Sequence, residues 1–321
     1  MIETAPPLLV VEHLVHHFPV RGFLNRQIGI VRALDGVSFS VGKGEALGII
    51  GESGCGKSTL GKVLAGILDP TGGTIRLDGM PIAAPGQTRA TAVRARLQYV
   101  HQDPGASLDP RWPLRRSLHE PLIIHTGWPR ERRAAKVDEI AAAVGLPPAH
   151  LDLHPHETSG GQLRRAGLAR ILVLGPELVI LDEPTAGLDA SVKAAVMALL
   201  RDLKRRFALT CLFISHDLAG VRSACDRIAV MYLGRVIEIG PTDRIFATPR
   251  HPYTRSLMAA MPRIGGPRVT ETFVLQGEPP DPANVPAGCR FRTRCPVAMP
   301  ACAQVEPALD EDGVACLRWR A

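Results

Sequence analysis

The run Gly51-Glu52-Ser53-Gly54-Cys55-Gly56-Lys57-Ser58 fits G-x-x-x-x-G-K-[ST], and Thr59 follows it. Residues of these types in this order can enclose a chain of phosphates. Glycine lets backbone N–H groups turn inward, and a helix starting at the loop's end adds partial positive charge. Lys57 is placed to reach β- and γ-phosphates, and Ser58 to hold Mg²⁺. Farther along, the apolar run Leu178-Val179-Ile180-Leu181 ends in Asp182-Glu183. Asp182 at a strand tip can hold Mg²⁺ through water, and Glu183 can polarise an attacking water. Each pattern has a bland counterpart, a Gly-rich turn or a strand with an acidic end. Together in one chain they predict a protein that binds a nucleoside triphosphate and cleaves it.

The elements around these residues agree with that chemistry. Leu47, Ile49 and Ile50 read as a buried strand before the loop, and Leu60, Val63, Leu64 and Ile67 as one helix face after it. Leu8 to Val11 and the alternating Val37, Phe39 and Val41 read as short strands, as do Ile75 and Leu77, which predicts an antiparallel sheet beside the nucleotide fold. Strand signals fade between about 105 and 158, where Val137, Ile140, Ala141 and Val144, closed by Gly145, mark a helix. Val192, Val196, Leu199, Leu200 and Leu203 form another helix face, followed by the strand Leu212-Phe213-Ile214. Alternating strands and helices predict an α/β fold with a parallel sheet and a helical insertion. Residues 262–288 are rich in Pro and Gly, as in a linker or irregular wrap.

Bulk properties narrow the classes. At 321 residues and 45% hydrophobic content the chain can bury a sizeable core in about two domains. No apolar stretch reaches ~18 residues and the start lacks a secretory signal pattern, so the expectation is a cytosolic chain. Net charge is +7, yet aromatics are only 4%, which leaves few stacking platforms for nucleic acid. Of seven cysteines, Cys289, Cys295, Cys302 and Cys316 crowd the end. In a reducing compartment that grouping fits a metal or iron–sulfur site better than disulfides. Their C-x5-C-x6-C-x13-C spacing is not the paired C-x2-C of a zinc ribbon, while iron–sulfur spacing is looser. A [4Fe–4S] cluster is the reading taken, with Zn²⁺ and four free thiols as alternatives.

Three further segments complete a set. Thr158-Ser159-Gly160-Gly161-Gln162 precedes a helix carrying Leu168, Ile171 and Leu172; Gln102 follows Leu97-Gln98-Tyr99-Val100; His216 follows Phe213-Ile214-Ser215. By itself the Ser-Gly-Gly-Gln turn is a helix cap. With the loop at 51–58 and Asp182-Glu183, the order and spacing of all five elements resemble an ATP-binding-cassette (ABC) ATPase across roughly residues 8–245. The resemblance implies a P-loop NTPase fold of ABC type with an antiparallel β subdomain, a helical insertion subdomain and a cysteine-containing C-terminal extension. It also implies two ATP molecules sandwiched head to tail between two nucleotide domains. Gln102 corresponds to the lid-loop glutamine near Mg²⁺ and water, and His216 to the switch histidine at the γ-phosphate. Ser159, Gly160, Gly161 and Gln162 would act on the opposite subunit's nucleotide, Asp189 would link the two sites, and Phe18 would stack on adenine. Thr158 and Arg164 depart from the family's usual Leu or Phe and Gln.

The branch is marked by Phe18-Pro19-Val20-Arg21-Gly22, by Val100-His101-Gln102-Asp103-Pro104 with Ser107-Leu108-Asp109-Pro110-Arg111, and by His251-Pro252-Tyr253-Thr254. With Gly288-Cys289-Arg290-Phe291 and Arg294-Cys295-Pro296, these are similar to the dipeptide and oligopeptide importer ATPases, specifically the F-type of their two nonidentical subunits. The implied domains are 1–255, nucleotide-binding, with a helical subdomain at about 103–170, and 256–321, the extension. Implied partners are a second ATPase subunit or another copy, two transmembrane permease subunits and an extracytoplasmic solute-binding protein, with the chain peripheral at the cytoplasmic face of the membrane. Nickel importers share this architecture and give the alternative cargo. A DNA- or ribosome-associated cassette protein is the rival from another class, but such chains usually carry two cassettes or coiled-coil arms, and no heptad run is present here.

Overall fold

A computed structural model of the chain describes residues 6–22, 26–86, 91–101, 104–261 and 277–320. In chain order the elements begin with β1 (Leu9–Arg21), β2 (Gln27–Val41), β3 (Ala46–Ile50), α1 (Lys57–Ala65), β4 (Gly72–Leu77) and β5 (Met80–Ala83). Next come α2 (Thr91–Arg96), β6 (Leu97–Val100), α3 (Leu114–His125), α4 (Arg130–Ala143), α5 (Gly160–Leu172), β7 (Leu178–Asp182) and α6 (Ala190–Phe207). The remainder is β8 (Thr210–Ile214), α7 (Leu218–Ala224), β9 (Arg227–Tyr232), β10 (Arg235–Pro241), α8 (Thr242–Ala247) and α9 (Pro252–Ala259). They fall into two compact units, one within Met1–Gln87 and Ile214–Ala321, the other within Thr88–Phe213.

In the first unit an antiparallel sheet has the order β2-β1-β4-β5. Its inner pairs, Leu9 opposite Val41 and Leu77, are the apolar positions of the sequence pattern. The strands are far longer than that pattern predicts, at 13 residues for β1 and 15 for β2. Register slips between Val11 and Leu14, where His13 takes a φ of 47°, and again between His16 and His17. Each slip resets which face a side chain occupies, so the period-two signal stops long before the strand does. In the same unit β3 is buried at every residue, lies parallel to β9 and has β10 beyond, antiparallel to β9. A strand covered on both faces reads as an unbroken apolar run.

Helix α1 buries Leu60, Val63 and Leu64 completely, then stops at Ala65 because Gly66 turns left-handed at φ 72°. Ile67, which the spacing assigns to the same face, therefore lies beyond the helix and is 52% exposed.

In the second unit β6 runs parallel to β7, with Leu97 opposite Leu178 and Val100 opposite Leu181, and β8 lies on the other side of β7. Helices α3, α4 and α5 bury Leu118, Leu122, Val137, Ile140 and Ala166 among themselves and their connections. Helix α6 turns Met197, Leu200 and Leu203 inward and leaves Val192 exposed, so its buried stripe includes a methionine outside the Val/Leu pattern.

The tail from 277 to 320 folds onto the first unit with little regular structure of its own. Ala315 N donates to Ile237 O and Ile239 N to Gly313 O, both at 2.8 Å, and Val314 bridges Glu238 on β10. Arg290 is buried, and its guanidinium donates to Glu306 at 2.7 Å, to Leu233 O at 2.6 Å and to Asp35. A buried cation is tolerable only when its donors are matched in this way. Phe291 completes an aromatic cluster with Tyr232 and Tyr253, each ring 5.4 Å from it.

Candidate active site

The loop after β3 can form only with glycine at two positions. Gly51 has φ 154° and Gly56 φ 108°, and a Cβ at either would fall 2.3 Å from Met231 O or 2.2 Å from Ala33 O. Gly56 is also the left-handed N-cap of α1. Inside the turn, Lys57 Nζ donates to Gly51 O at 2.7 Å and to Glu52 O at 2.9 Å, and lies 3.8 Å from Cys55 Sγ. The loop is thus a ring closed around a buried ammonium at the positive end of a helix. Ser53, Gly54 and Ser58 are exposed on this ring, Thr59 is half-buried, and burial pushes the Cys55 thiol pKa up.

Two other predicted residues belong to the same unit. His216 is exposed just after β8, whose end is tied to β3 by Ser215 N donating to Ile49 O at 3.2 Å. Phe18 sits on β1 opposite Val31, 38% exposed, with its ring edge-on to His16 at 4.5 Å.

The second unit carries the carboxylates. Asp182 is the last residue of β7, nearly buried, and its Oδ2 accepts from the Tyr99 hydroxyl at 2.5 Å. Burial and the neighbouring Asp182 together push the Tyr99 phenol pKa up, so it stays a donor. Glu183 turns out of the strand with φ 50°, a left-handed conformation rare outside glycine, and its carbonyl accepts from Ala186 N at 3.1 Å.

Ser159 and Gln162 form a reciprocal capping box on α5: Ser159 N donates to Gln162 Oε1 at 2.8 Å and Gln162 N to Ser159 Oγ at 3.3 Å. Between them Gly160 and Gly161 are exposed, and a Cβ built on either meets nothing of this chain within 4 Å. Arg164 on the same helix donates to Pro184 O at 3.3 Å, which joins α5 to the turn after Glu183. Asp189 caps α6, accepting from Ser191 N and Val192 N at 3.0 Å; the Val192 amide leads in holding its carboxyl pKa down. Gln102 lies outside the described residues.

Comparison with known proteins places this arrangement. The family model described as ABC transporter matches residues 34–186, and the one described as the C-terminal region of oligopeptide/dipeptide transporters matches 237–302. The oligopeptide transport ATP-binding protein AppF of Bacillus subtilis (strain 168) is 46% identical over 95% of this chain and 94% of its own length. The chain belongs to the ABC transporter family. Within that family it falls among the oligopeptide/dipeptide transport ATP-binding proteins. The dipeptide transport ATP-binding protein DppF of Escherichia coli (strain K12) is 44% identical over 97% of this chain and 94% of its own length. Among solved structures, cbiO1 of Clostridium perfringens, part of the ABC transporter complex cbiONQ, superposes with a TM-score of 0.64 at 30% identity, covering 75% of this chain and 91% of that one. The ABC cassette MJ0796, in a dimer bound to ADP and Pi, has a TM-score of 0.63 at 24% identity over 73% of this chain and 98% of that one, and shares the fold.

In this ABC ATPase, Tyr99 bonds to the predicted Asp182 and Arg164 to Pro184 beside the predicted Glu183, and neither contact was legible beforehand. Tyr99 reads as one more strand position, and Arg164 as a departure from the family's glutamine. The four tail thiols are near enough that Cys295, Cys302 and Cys316 each raise the pKa of Cys289, which burial leads in pushing up to about 11. Burial also raises Cys295 and Cys316. No group of three or more His, Cys, Asp or Glu side chains among the described residues is arranged to hold a metal ion. As they stand, the four thiols do not form a ligand set.

Proposed function

We propose that this ABC ATPase binds ATP with Mg²⁺ and hydrolyses it to power import of oligopeptides or dipeptides. The observation that carries the reading is the glycine-shaped ring around the Lys57 ammonium at the start of α1. It stands in a chain whose full-length relatives are named for peptide transport.

In this reading the loop amides and Lys57 take the β- and γ-phosphates. Ser58, Gln102 and Asp182 offer a hydroxyl, an amide oxygen and a carboxylate, hard oxygen donors of the type Mg²⁺ takes. Bound Mg²⁺ neutralises charge on the phosphates. Glu183 orients the attacking water and accepts its proton, while His216 donates to the γ-phosphate. Phe18 stacks on adenine. Ser159 to Gln162 face the nucleotide of a second subunit: their capping box uses the amides of Ser159 and Gln162, and the first-turn amides of Gly160 and Gly161 have no acceptor within their own helix. The open space over both glycines supports close approach from outside the chain. Asp189, beside that face, links the paired sites.

Residues 1–255 are then the nucleotide-binding domain, with its helical subdomain at about 103–170, and 256–321 the extension. Partners are a second ATPase subunit, two permease subunits and an extracytoplasmic solute-binding protein. No helix among the described residues is long and apolar enough to cross a membrane, so coupling passes through the permease. Closure of the ATPase dimer on ATP and its reopening after cleavage bias the permease between two states.

A [4Fe–4S] cluster on Cys289, Cys295, Cys302 and Cys316 belongs to the same reading. The grouping of four cysteines within the tail is what supports it; their side chains as placed are not arranged around a metal and must converge to bind. Iron and sulfide analysis of anaerobically purified protein tests it, and an iron-free, colourless protein rejects it. The central test is reconstitution with the permease in liposomes. ATP-dependent peptide uptake that Lys57→Ala abolishes is expected; ATP turnover without peptide uptake would overturn the cargo.

A further inference from the structure

Glu52 puts a carboxylate into a loop read as a cradle for phosphates. A carboxylate beside a polyanion opposes binding unless its charge is cancelled. The structure shows what cancels it. Arg294, from the tail, donates Nη1 to Glu52 Oε2 at 2.6 Å and Nη2 to Glu52 Oε1 at 3.0 Å, a bidentate pair. The Arg294 side chain is only 5% exposed. Nη2 donates also to Gly277 O at 3.1 Å and Nη1 to Tyr232 Oη at 3.4 Å, which fixes the guanidinium plane.

Glu52 is held at its other end as well. Its backbone N–H donates to the Tyr253 hydroxyl at 2.9 Å, and its carbonyl accepts from Lys57. Tyr253 is fully buried on α9, whose N-cap His251 is anchored to buried Glu238 at 2.9 Å. Two separate parts of the region after β10 therefore meet at one residue of the phosphate loop.

We infer that Arg294 is a positioning residue for nucleotide binding, which neutralises Glu52 and holds its carboxylate away from the phosphates. The C-terminal region is thereby a working part of the nucleotide site. This rests on the reading of 51–58 as the phosphate loop. Binding energy is its currency: the pair acts on affinity for ATP and ADP, whose distal phosphates meet the loop, and leaves AMP unaffected. Because the penalty is electrostatic, it shrinks with added salt.

The experiment is equilibrium binding of Mg²⁺-ATP, Mg²⁺-ADP and AMP to the full chain, with kcat and KM for ATP alongside. Arg294→Ala is expected to weaken ATP about tenfold at low salt, to raise KM more than it lowers kcat, and to lose less at high salt. Arg294→Lys, which keeps the charge and loses the fork, falls between. The deciding variant is Arg294→Ala with Glu52→Gln: removal of the unpaired carboxylate restores ATP affinity to within about threefold of wild type. Wild-type affinity in Arg294→Ala overturns the inference. So does a double variant as weak as the single one, because Arg294 then acts only through the fold. Lys57→Ala separates the two levels. If it binds ATP normally, the loop reading itself fails; if it loses binding while Arg294→Ala does not, only the role of Arg294 fails.

Discussion

Tyr99 donates its hydroxyl hydrogen to Asp182 from the neighbouring parallel strand, 2.5 Å from oxygen to oxygen. A carboxylate held at one oxygen keeps a fixed orientation for the other, as an outer-sphere partner does at a metal centre. Tyr99→Phe removes this anchor while keeping the ring. A hydrogen bond of this kind contributes about 1 kcal/mol or somewhat more. The Mg²⁺ concentration for half-maximal ATPase activity should rise about fivefold, with ATP affinity in excess Mg²⁺ unchanged. A Mg²⁺ titration of turnover checks this, and an unchanged titration with a lowered melting temperature shows the bond to be structural alone.

Glu183→Gln keeps the shape of the turn after β7 and removes the proposed proton acceptor. ATP binding should persist, turnover should fall by at least about a hundredfold, and ATP should hold two subunits together. Gel filtration with ATP and a phosphate-release assay read the two effects. Retained turnover would place the general base elsewhere.

Gly161→Asp sets a negative charge in open space at the N-terminus of α5. Within its own subunit the change is harmless, and an acid in a helix's first turn is mildly favourable. Opposite a γ-phosphate it is repulsive. The variant should melt at the wild-type temperature, bind ATP normally as a monomer and fail to hydrolyse it. Reduced ATP binding by the isolated variant would argue against a role across the subunit boundary.

His251 is buried with its ring neutral, the pKa pushed down from 6.5 to about 3 by burial. In the unfolded chain the imidazole titrates near its ordinary value of ~6.5. Between those values the unfolded chain binds the extra proton. The stability that neutral His251 contributes is therefore complete above about pH 6.5 and drains away as pH falls toward 3. Melting temperature should drop through this window in wild type, and less steeply in His251→Asn, which retains an acceptor for Tyr253 N.

Local geometry held in short, contiguous runs was readable from the chain: the loop at 51–58 before α1, the strand ending at Asp182 and the Ser159 cap all depend on neighbours within a few residues. The full β1–β2 ribbon was not, because its register slips erase alternation, and Ile67 was misread because a left-handed Gly66 ends α1 first. Tyr99 and Arg294 were invisible for another reason. Their partners lie 83 and 242 residues away, and no local pattern announces a contact at that range. All three tyrosines of the chain, Tyr99, Tyr232 and Tyr253, place their hydroxyls on these long-range contacts.

The separation of 242 positions between Glu52 and Arg294 is also an interval of time. At ribosomal speeds of about 5–20 residues per second, the guanidinium is polymerised roughly 12–50 s after the acid it neutralises. A nascent cassette thus carries the acid of its glycine turn uncompensated until Arg294 has followed it. With the role inferred for Arg294, the order in which the pair is synthesised would disfavour capture of nucleotide by an unfinished chain.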